Sequence, residues 1–123
     1  MECINLDSQN ILYQKAYLFA IRTVKLAQYL NQEKKEYVLS KQILRSGTAI
    51  GALISESKFA QSRPDFLNKL MIAFKEANKT KYWINLLHDT QYITKQMFES
   101  LLCDIKELIG LLVSITKSIK QNP

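Results

Sequence analysis

Residues that break regular structure are scarce in this sequence. Its 123 residues include only 3 Gly and 2 Pro. So few turn-forming residues argue against a sandwich or barrel of many short strands, and they favour a small number of long helices. The two cysteines, Cys3 and Cys103, are too few for a disulfide framework. This scarcity favours a reducing, cytoplasmic compartment.

Clustered histidines and long apolar segments are missing as well. His88 is the single histidine, so a site that needs two histidines is excluded, and no Glu-x-x-His pair is available for a carboxylate-bridged metal centre. We therefore expect no metal, no cofactor and no enzymatic activity, and a surface or capping role for His88. No apolar run approaches the roughly 18–20 residues that cross a bilayer. The first residues lack the basic and apolar regions of a signal peptide, which again predicts a cytoplasmic protein.

The charge balance is positive. There are 17 Lys+Arg against 11 Asp+Glu, which gives a formal net charge of +6, and the sequence pI is about 9.3. This balance favours an acidic partner, nucleic acid first. The same excess also serves ordinary solubility.

Apolar residues recur at spacings of three and four in four long segments, which predicts amphipathic helices. Ser40, Ser62 and Thr94 are the candidate N-caps, and Tyr17 and Val24 are expected to widen the buried stripe of the first helix. Four helices with short links predict an all-α, antiparallel up-down four-helix bundle that forms one domain over residues 1–123. The predicted helices span about residues 8–34, 40–61, 63–91 and 95–120.

Two glycines lie inside the second predicted helix, Gly47 and Gly51. Each costs about 1 kcal/mol relative to Ala in a helix, so a compensating contact is expected. One interpretation is the close approach of another helix backbone over both glycines. The other is a phosphate-binding loop, but the segment lacks the glycine spacing and the Lys-Ser/Thr pair of a P-loop.

Basic residues form small groups on the predicted helices. Three of them on the first helix fall within about 80° of one another, at about 100° per residue, and two on the third helix are one turn apart. Such groups can neutralise phosphates, while a solvated helix surface is the alternative interpretation. The positive charge is spread along the chain, so only oligomerisation would concentrate it. The candidate nucleic-acid-binding residues are Lys15, Arg22, Lys25, Lys75 and Lys79.

Aromatic residues are numerous for a narrow bundle, with 6 Tyr, 5 Phe and 1 Trp. Tyr82 and Trp83 are adjacent, so both rings cannot face the same core. We expect one ring to meet another helix or another subunit, since large aromatic rings are favoured at protein interfaces. Packing of Trp83 in the core is the alternative.

Several segments resemble a known family. Residues 40–52 (SKQILRSGTAIGA) are similar to the second-helix signature of the four-helix-bundle proteins related to the 23S rRNA-intervening sequence proteins. Residues 65–70 (DFLNKL), 72–77 (IAFKEA) and 82–84 (YWI) resemble its third-helix signature, and residues 101–112 follow its last helix. The resemblance covers nearly the whole chain.

The family also includes the accessory variability proteins of diversity-generating retroelements. The resemblance implies a four-helix bundle that assembles as a homopentamer with a central channel. For the retroelement branch it implies binding of nucleic acid and of a reverse transcriptase through basic surface. It implies no enzymatic activity.

The sequence departs from the family pattern at two places. Leu53 stands where the family often has Asn, and Lys79 stands where it often has Glu. The first change places an apolar side chain where the family has a polar one, and the second adds positive charge. Arg45, Glu56 and Glu76 match motif positions, and we expect them to form interhelical or intersubunit ion pairs. The predicted interface or structural residues are Arg45, Gly47, Gly51, Glu56, Glu76, Tyr82 and Trp83.

The sequence therefore predicts a non-catalytic, homo-oligomeric accessory protein that binds nucleic acid, RNA more readily than DNA. The alternative is a structural interaction module that recruits a protein partner, such as a reverse transcriptase, without touching nucleic acid.

Overall fold

The structure, a computed structural model, describes residues 6–121, with side chains from Gln9 onward. It contains four helices: α1 (Leu6–Lys34), α2 (Leu39–Ser57), α3 (Arg63–Asp89) and α4 (Lys95–Gln121). α1 packs on α2 and α4, and α3 packs on the same two neighbours. This order around the bundle and the short connections confirm the predicted four-helix bundle. Cys3 lies outside the described residues.

The core consists of the inward stripes that the periodicity predicted. The four stripes interlock along the bundle axis, and the fully buried side chains include Leu12, Leu30, Ile43, Leu70 and Leu112. Burial at this density stabilises the fold by roughly 1.5–3 kcal/mol for each large aliphatic side chain. The prediction is wrong for Tyr17 and Val24, which are 56% and 41% exposed. At about 100° per residue, both residues lie well round the helix from the buried stripe, so their side chains face solvent.

Two of the three predicted N-caps are confirmed. Ser62 Oγ accepts a hydrogen bond from the Asp65 backbone N–H at 3.1 Å, with Pro64 in the first turn of α3. Thr94 Oγ1 accepts from the Met97 backbone N–H at 3.1 Å at the start of α4. Both hydroxyls satisfy donors that a helix N-terminus leaves unpaired.

The predicted cap at Ser40 is wrong. The α2 N-terminus is instead capped by the carboxylate of Glu36, which accepts from the backbone N–H groups of Val38, Leu39 and Ser40 at 3.2, 3.0 and 2.8 Å. Ser40 Oγ donates to Asn31 Oδ1 at 2.9 Å. The connection makes this possible because Lys35 has a φ of 54°, which ends α1 and turns Glu36 back toward α2.

The second helix ends at Ser57 rather than near residue 61. The Phe59 and Ala60 N–H groups donate to the Glu56 and Ser57 carbonyls at 3.0 and 3.2 Å. These hydrogen bonds join residues three apart, as in a 3₁₀ turn, and they end the α-helix. The extended backbone of Ser62, which caps α3, then completes the turn.

Gly47 and Gly51 lie where α2 crosses α1. A Cβ placed on Gly47 would come within 2.6 Å of Thr23 Cγ2 and 2.7 Å of Thr23 Oγ1. A Cβ on Gly51 would lie 3.6 Å from the Ala16 carbonyl, which is ordinary van der Waals distance. Close helix approach therefore requires a glycine at position 47, whereas position 51 has room for a methyl group.

Candidate nucleic-acid interface

The five predicted nucleic-acid-binding cations lie on two separate sides of the bundle. Lys15, Arg22 and Lys25 belong to α1, while Lys75 and Lys79 belong to α3. These two helices are diagonal in the bundle and do not pack on each other within the described residues. The folded chain therefore does not bring the two groups together.

Two of the α1 cations face α4, where each meets a carboxylate. Lys15 Nζ lies 3.2 Å from Glu107 Oε2, and Arg22 Nη1 lies 2.6 Å from Asp104 Oδ2. Arg22 Nη1 also donates to the Ser100 carbonyl at 3.3 Å. All four charged side chains are partly exposed, and exposed ion pairs contribute only about 0–1 kcal/mol. A phosphate group can therefore compete for either cation.

The α3 group surrounds a half-hidden carboxylate. Lys79 Nζ lies 3.8 Å from Glu76 Oε1, and the Glu76 side chain is only 13% exposed. Arg45 Nη1 donates to the other carboxylate oxygen at 3.4 Å. In the part of the chain that the structure describes, Lys25 and Lys75 are exposed cations with no ion-pair partner. These are the two of the five whose charge no carboxylate of the described residues offsets.

The motif carboxylates join α2 to α3. Arg45 pairs with Glu76 as described, and Glu56 Oε2 lies 3.9 Å from Lys69 Nζ. Both pairs lie within the chain, between neighbouring helices. Leu53, which departs from the family pattern, is half-buried and packs against the core. It therefore adds apolar burial at the edge of the core.

Tyr82 and Trp83 differ in how far their side chains are buried. Their rings make an edge-to-face contact with centroids 5.1 Å apart and an interplanar angle of 71°. Trp83 is half-buried and packs against the core, and its Nε1 is buried without a hydrogen-bond partner among the described residues. Tyr82 is 60% exposed. Tyr82 is therefore the more exposed of the two rings.

The side of α1 that faces solvent carries apolar residues, a feature that the sequence interpretation missed. Five large apolar side chains, 39–61% exposed, lie along about 20 Å of the helix at 1.5 Å per residue. The signal in the sequence was a second apolar line on the side of the helix away from the core stripe. We call this surface the outer face of α1; it comprises Ile11, Tyr17, Leu18, Ile21 and Val24.

No grouping of three His, Cys, Asp or Glu side chains across residues 6–121 could hold a metal ion. Over the same range, none of the helices combines the length and apolarity required to cross a membrane. Cys103 is an exposed free thiol. His88 Nδ1 lies 3.2 Å from Asp89 Oδ1, and its ring stacks on Phe98 with centroids 4.0 Å apart.

These features define a small basic four-helix bundle whose distinctive groups lie on its surface. The sequence matches the model of the 23S rRNA-intervening sequence protein family over residues 8–114, and the chain belongs to this family.

A solved structure is similar to the whole fold. It is the crystal structure of a protein of unknown function from the S23 ribosomal protein family, from Bacteroides thetaiotaomicron. The two chains share 54% sequence identity with a TM-score of 0.88, and the match covers 89% of this chain and 98% of that chain. No curated protein matches the chain.

Proposed function

We propose that this protein is a non-catalytic, homo-oligomeric accessory protein that binds nucleic acid through its basic surface. The observation that carries the proposal is the outer face of α1, which a solitary subunit would leave in water. Lys25 lies on the same helix, one turn after Ile21, and has an exposed side chain. Assembly of copies through the outer face would therefore place Lys25 and Arg22 of each copy around one shared axis.

The composition and the relatives favour RNA as the nucleic acid. The excess of six positive charges is repeated in every subunit of an assembly. The matching family is named after 23S rRNA, and the Bacteroides structure is assigned to a ribosomal protein family. The family resemblance implies five subunits. Binding would rest on phosphate neutralisation, with release of counterions from the nucleic acid.

The experiment is a fluorescence-anisotropy titration of structured RNA at several salt concentrations. The test variant combines Lys15→Gln, Arg22→Gln and Lys25→Gln. The matched control combines Lys106→Gln, Lys117→Gln and Lys120→Gln, which removes the same charge from exposed positions of α4. We expect the test variant to lower the slope of log K against log salt by about 2–3, since each phosphate contact contributes about 0.9. The control should change the slope much less.

Two results would contradict the proposal. One is the absence of RNA binding by the unaltered protein at low salt. The other is an equal loss in the test and control variants, which would show that net charge rather than the α1 surface determines binding.

A protein-recruiting module is the second candidate, because the outer face of α1 also fits an apolar protein surface. A reverse transcriptase encoded beside the gene would be the partner to test. Capture of that partner should survive the triple substitution of Lys15, Arg22 and Lys25 if this second function is correct, whereas RNA retention would be absent in both forms of the protein.

A further inference from the structure

A groove runs along the C-terminal half of α1, first beside α4 and then beside the connection between α3 and α4. It consists of two depressions that adjoin at Tyr29. One, of about 220 Å³, is lined by Arg22, Lys25 and Tyr29 among others. The other, of about 300 Å³, is lined by Tyr29 together with Lys34, His88, Tyr92 and Lys95. We call these two depressions together the α1–α4 groove.

The charged side chains that line the α1–α4 groove are all positive. Among the described residues that line it, the charged side chains are Arg22, Lys25, Lys34 and Lys95, and none is Asp or Glu. Two carboxylates touch lining residues from outside the lining: Asp104 contacts Arg22 through Nη1, and Asp89 Oδ1 lies 3.2 Å from His88 Nδ1. The remaining guanidinium nitrogens have no partner within the described residues. Such a surface is complementary to a chain of phosphates rather than to a mixed-charge protein surface.

Aromatic side chains lie among these cations. Tyr29 is half-buried, packs against the core and lines both depressions, so its ring is held at the middle of the groove. Tyr92 lines the larger depression. Cations that alternate with aromatic rings are typical of surfaces that bind single-stranded nucleic acid, because unpaired bases stack on the rings while the phosphates meet the cations.

We propose that the α1–α4 groove binds a single-stranded polynucleotide, with one base stacked on Tyr29 and phosphates held by Arg22 and Lys25 on one side and by Lys34 and Lys95 on the other. This proposal rests on the proposed function and specifies its ligand. From residue 22 to residue 34 the helix rises about 18 Å. That length matches roughly three to five nucleotides, at 3.4 Å per stacked step and more where the strand is extended. A duplex cannot use the tyrosine, since its bases are already stacked and paired.

The experiment compares three probes by fluorescence anisotropy: a labelled oligouridylate, the corresponding oligothymidylate and an RNA duplex of equal length. Tyr29→Leu removes the ring, and Tyr29→Phe keeps it. Tyr82→Leu, on the exposed side of α3, is the matched control for loss of a tyrosine. Circular dichroism checks that each variant keeps its helix content.

We expect Tyr29→Leu to weaken binding of the single strands by about 5- to 150-fold, the range found for loss of one stacked base. Tyr29→Phe and Tyr82→Leu should bind as the unaltered protein does. Replacing Lys34 and Lys95 together by Gln should lower the salt slope for the single strands by about 1.4, at about 0.7 per phosphate. The oligothymidylate arm shows whether the 2′-hydroxyl contributes.

Different failures separate the two proposals. Equal affinity for duplex and single strand, unchanged by Tyr29→Leu, would overturn the groove assignment while the proposed function stands. Competition by polyglutamate as effective as that of the oligonucleotides would also overturn it, in favour of an acidic protein partner. Failure of every nucleic acid to bind at low salt would overturn both.

Discussion

At the scale of single residues, the structure shows how one carboxylate can organise a connection. Glu36 lies between α1 and α2, is 9% exposed and accepts three backbone N–H groups at the start of α2. The sequence favoured Ser40 because a hydroxyl before an apolar stripe fits the usual capping pattern. The capping pattern failed because Lys35 adopts a left-handed conformation that turns the chain. The spacing of residues around position 35 does not indicate that turn.

We expect Glu36→Gln to lower the free energy of unfolding by about 1–2 kcal/mol. The amide keeps one acceptor but loses the charge that strengthens bonds to a helix N-terminus. Urea denaturation measures the change. Glu33→Gln makes the same substitution on the exposed surface of α1 and should shift stability by no more than about 0.5 kcal/mol. Equal effects of the two substitutions would show that Glu36 does not act as a cap.

At the scale of helices, the periodicity of apolar residues predicted the four elements and the centre of each inward face, but it extended the inward face of α1 too far, to Tyr17 and Val24. The apolar stripe of α3 is buried from Phe66 to Leu87, because residues spaced three and four apart share one face of an α-helix. The end of α2 was not predictable in the same way. The position of that end depends on backbone hydrogen bonds within the connection between α2 and α3. The helix propensities of the residues contribute little to it.

The contact between α1 and α2 gives a prediction at this scale. Gly47→Ala should destabilise the protein by about 1–2 kcal/mol, because the new methyl group meets the buried Thr23 and the strain exceeds the gain of about 1 kcal/mol in helix propensity. Gly51→Ala, which meets only ordinary contacts, should be neutral or stabilising. Thermal unfolding of both variants measures the difference.

A double variant tests the physical cause. Thr23→Ala removes the two atoms that the new methyl group would meet. Combining it with Gly47→Ala should therefore cost less than the sum of the two single substitutions. Strict additivity would show that position 47 is sensitive for a reason other than contact with α1.

At the scale of the whole molecule, the sequence could not place the candidate site. Tyr29 and Lys95 lie far apart along the chain and meet only because the first and last helices are neighbours. The angle of about 100° per residue predicted which cations share a face of a helix. It did not predict that Lys15 and Arg22 would pair with carboxylates of α4. Those contacts depend on the rotation of one helix against another, which a single helix does not encode.

The proposed assembly through the outer face of α1 makes a prediction about the whole molecule. Leu18→Glu places a charge on a side chain that is 61% exposed, so the subunit should keep its fold but lose its partners, since an unpaired charge is costly to bury in an interface. Light scattering should show a fall in mass to that of one subunit. Tyr82→Glu should leave the mass unchanged, and the reverse result would move the interface to α3.

Of the four pairs of neighbouring helices, α1 and α4 pack together least extensively. Local opening begins where few apolar contacts resist it, so backbone amides along this seam should exchange with deuterium sooner than those between α2 and α3. A polynucleotide bound across α1 and α4 would hold these two helices together. Its binding could then be detected as slowed exchange in two helices at opposite ends of the chain.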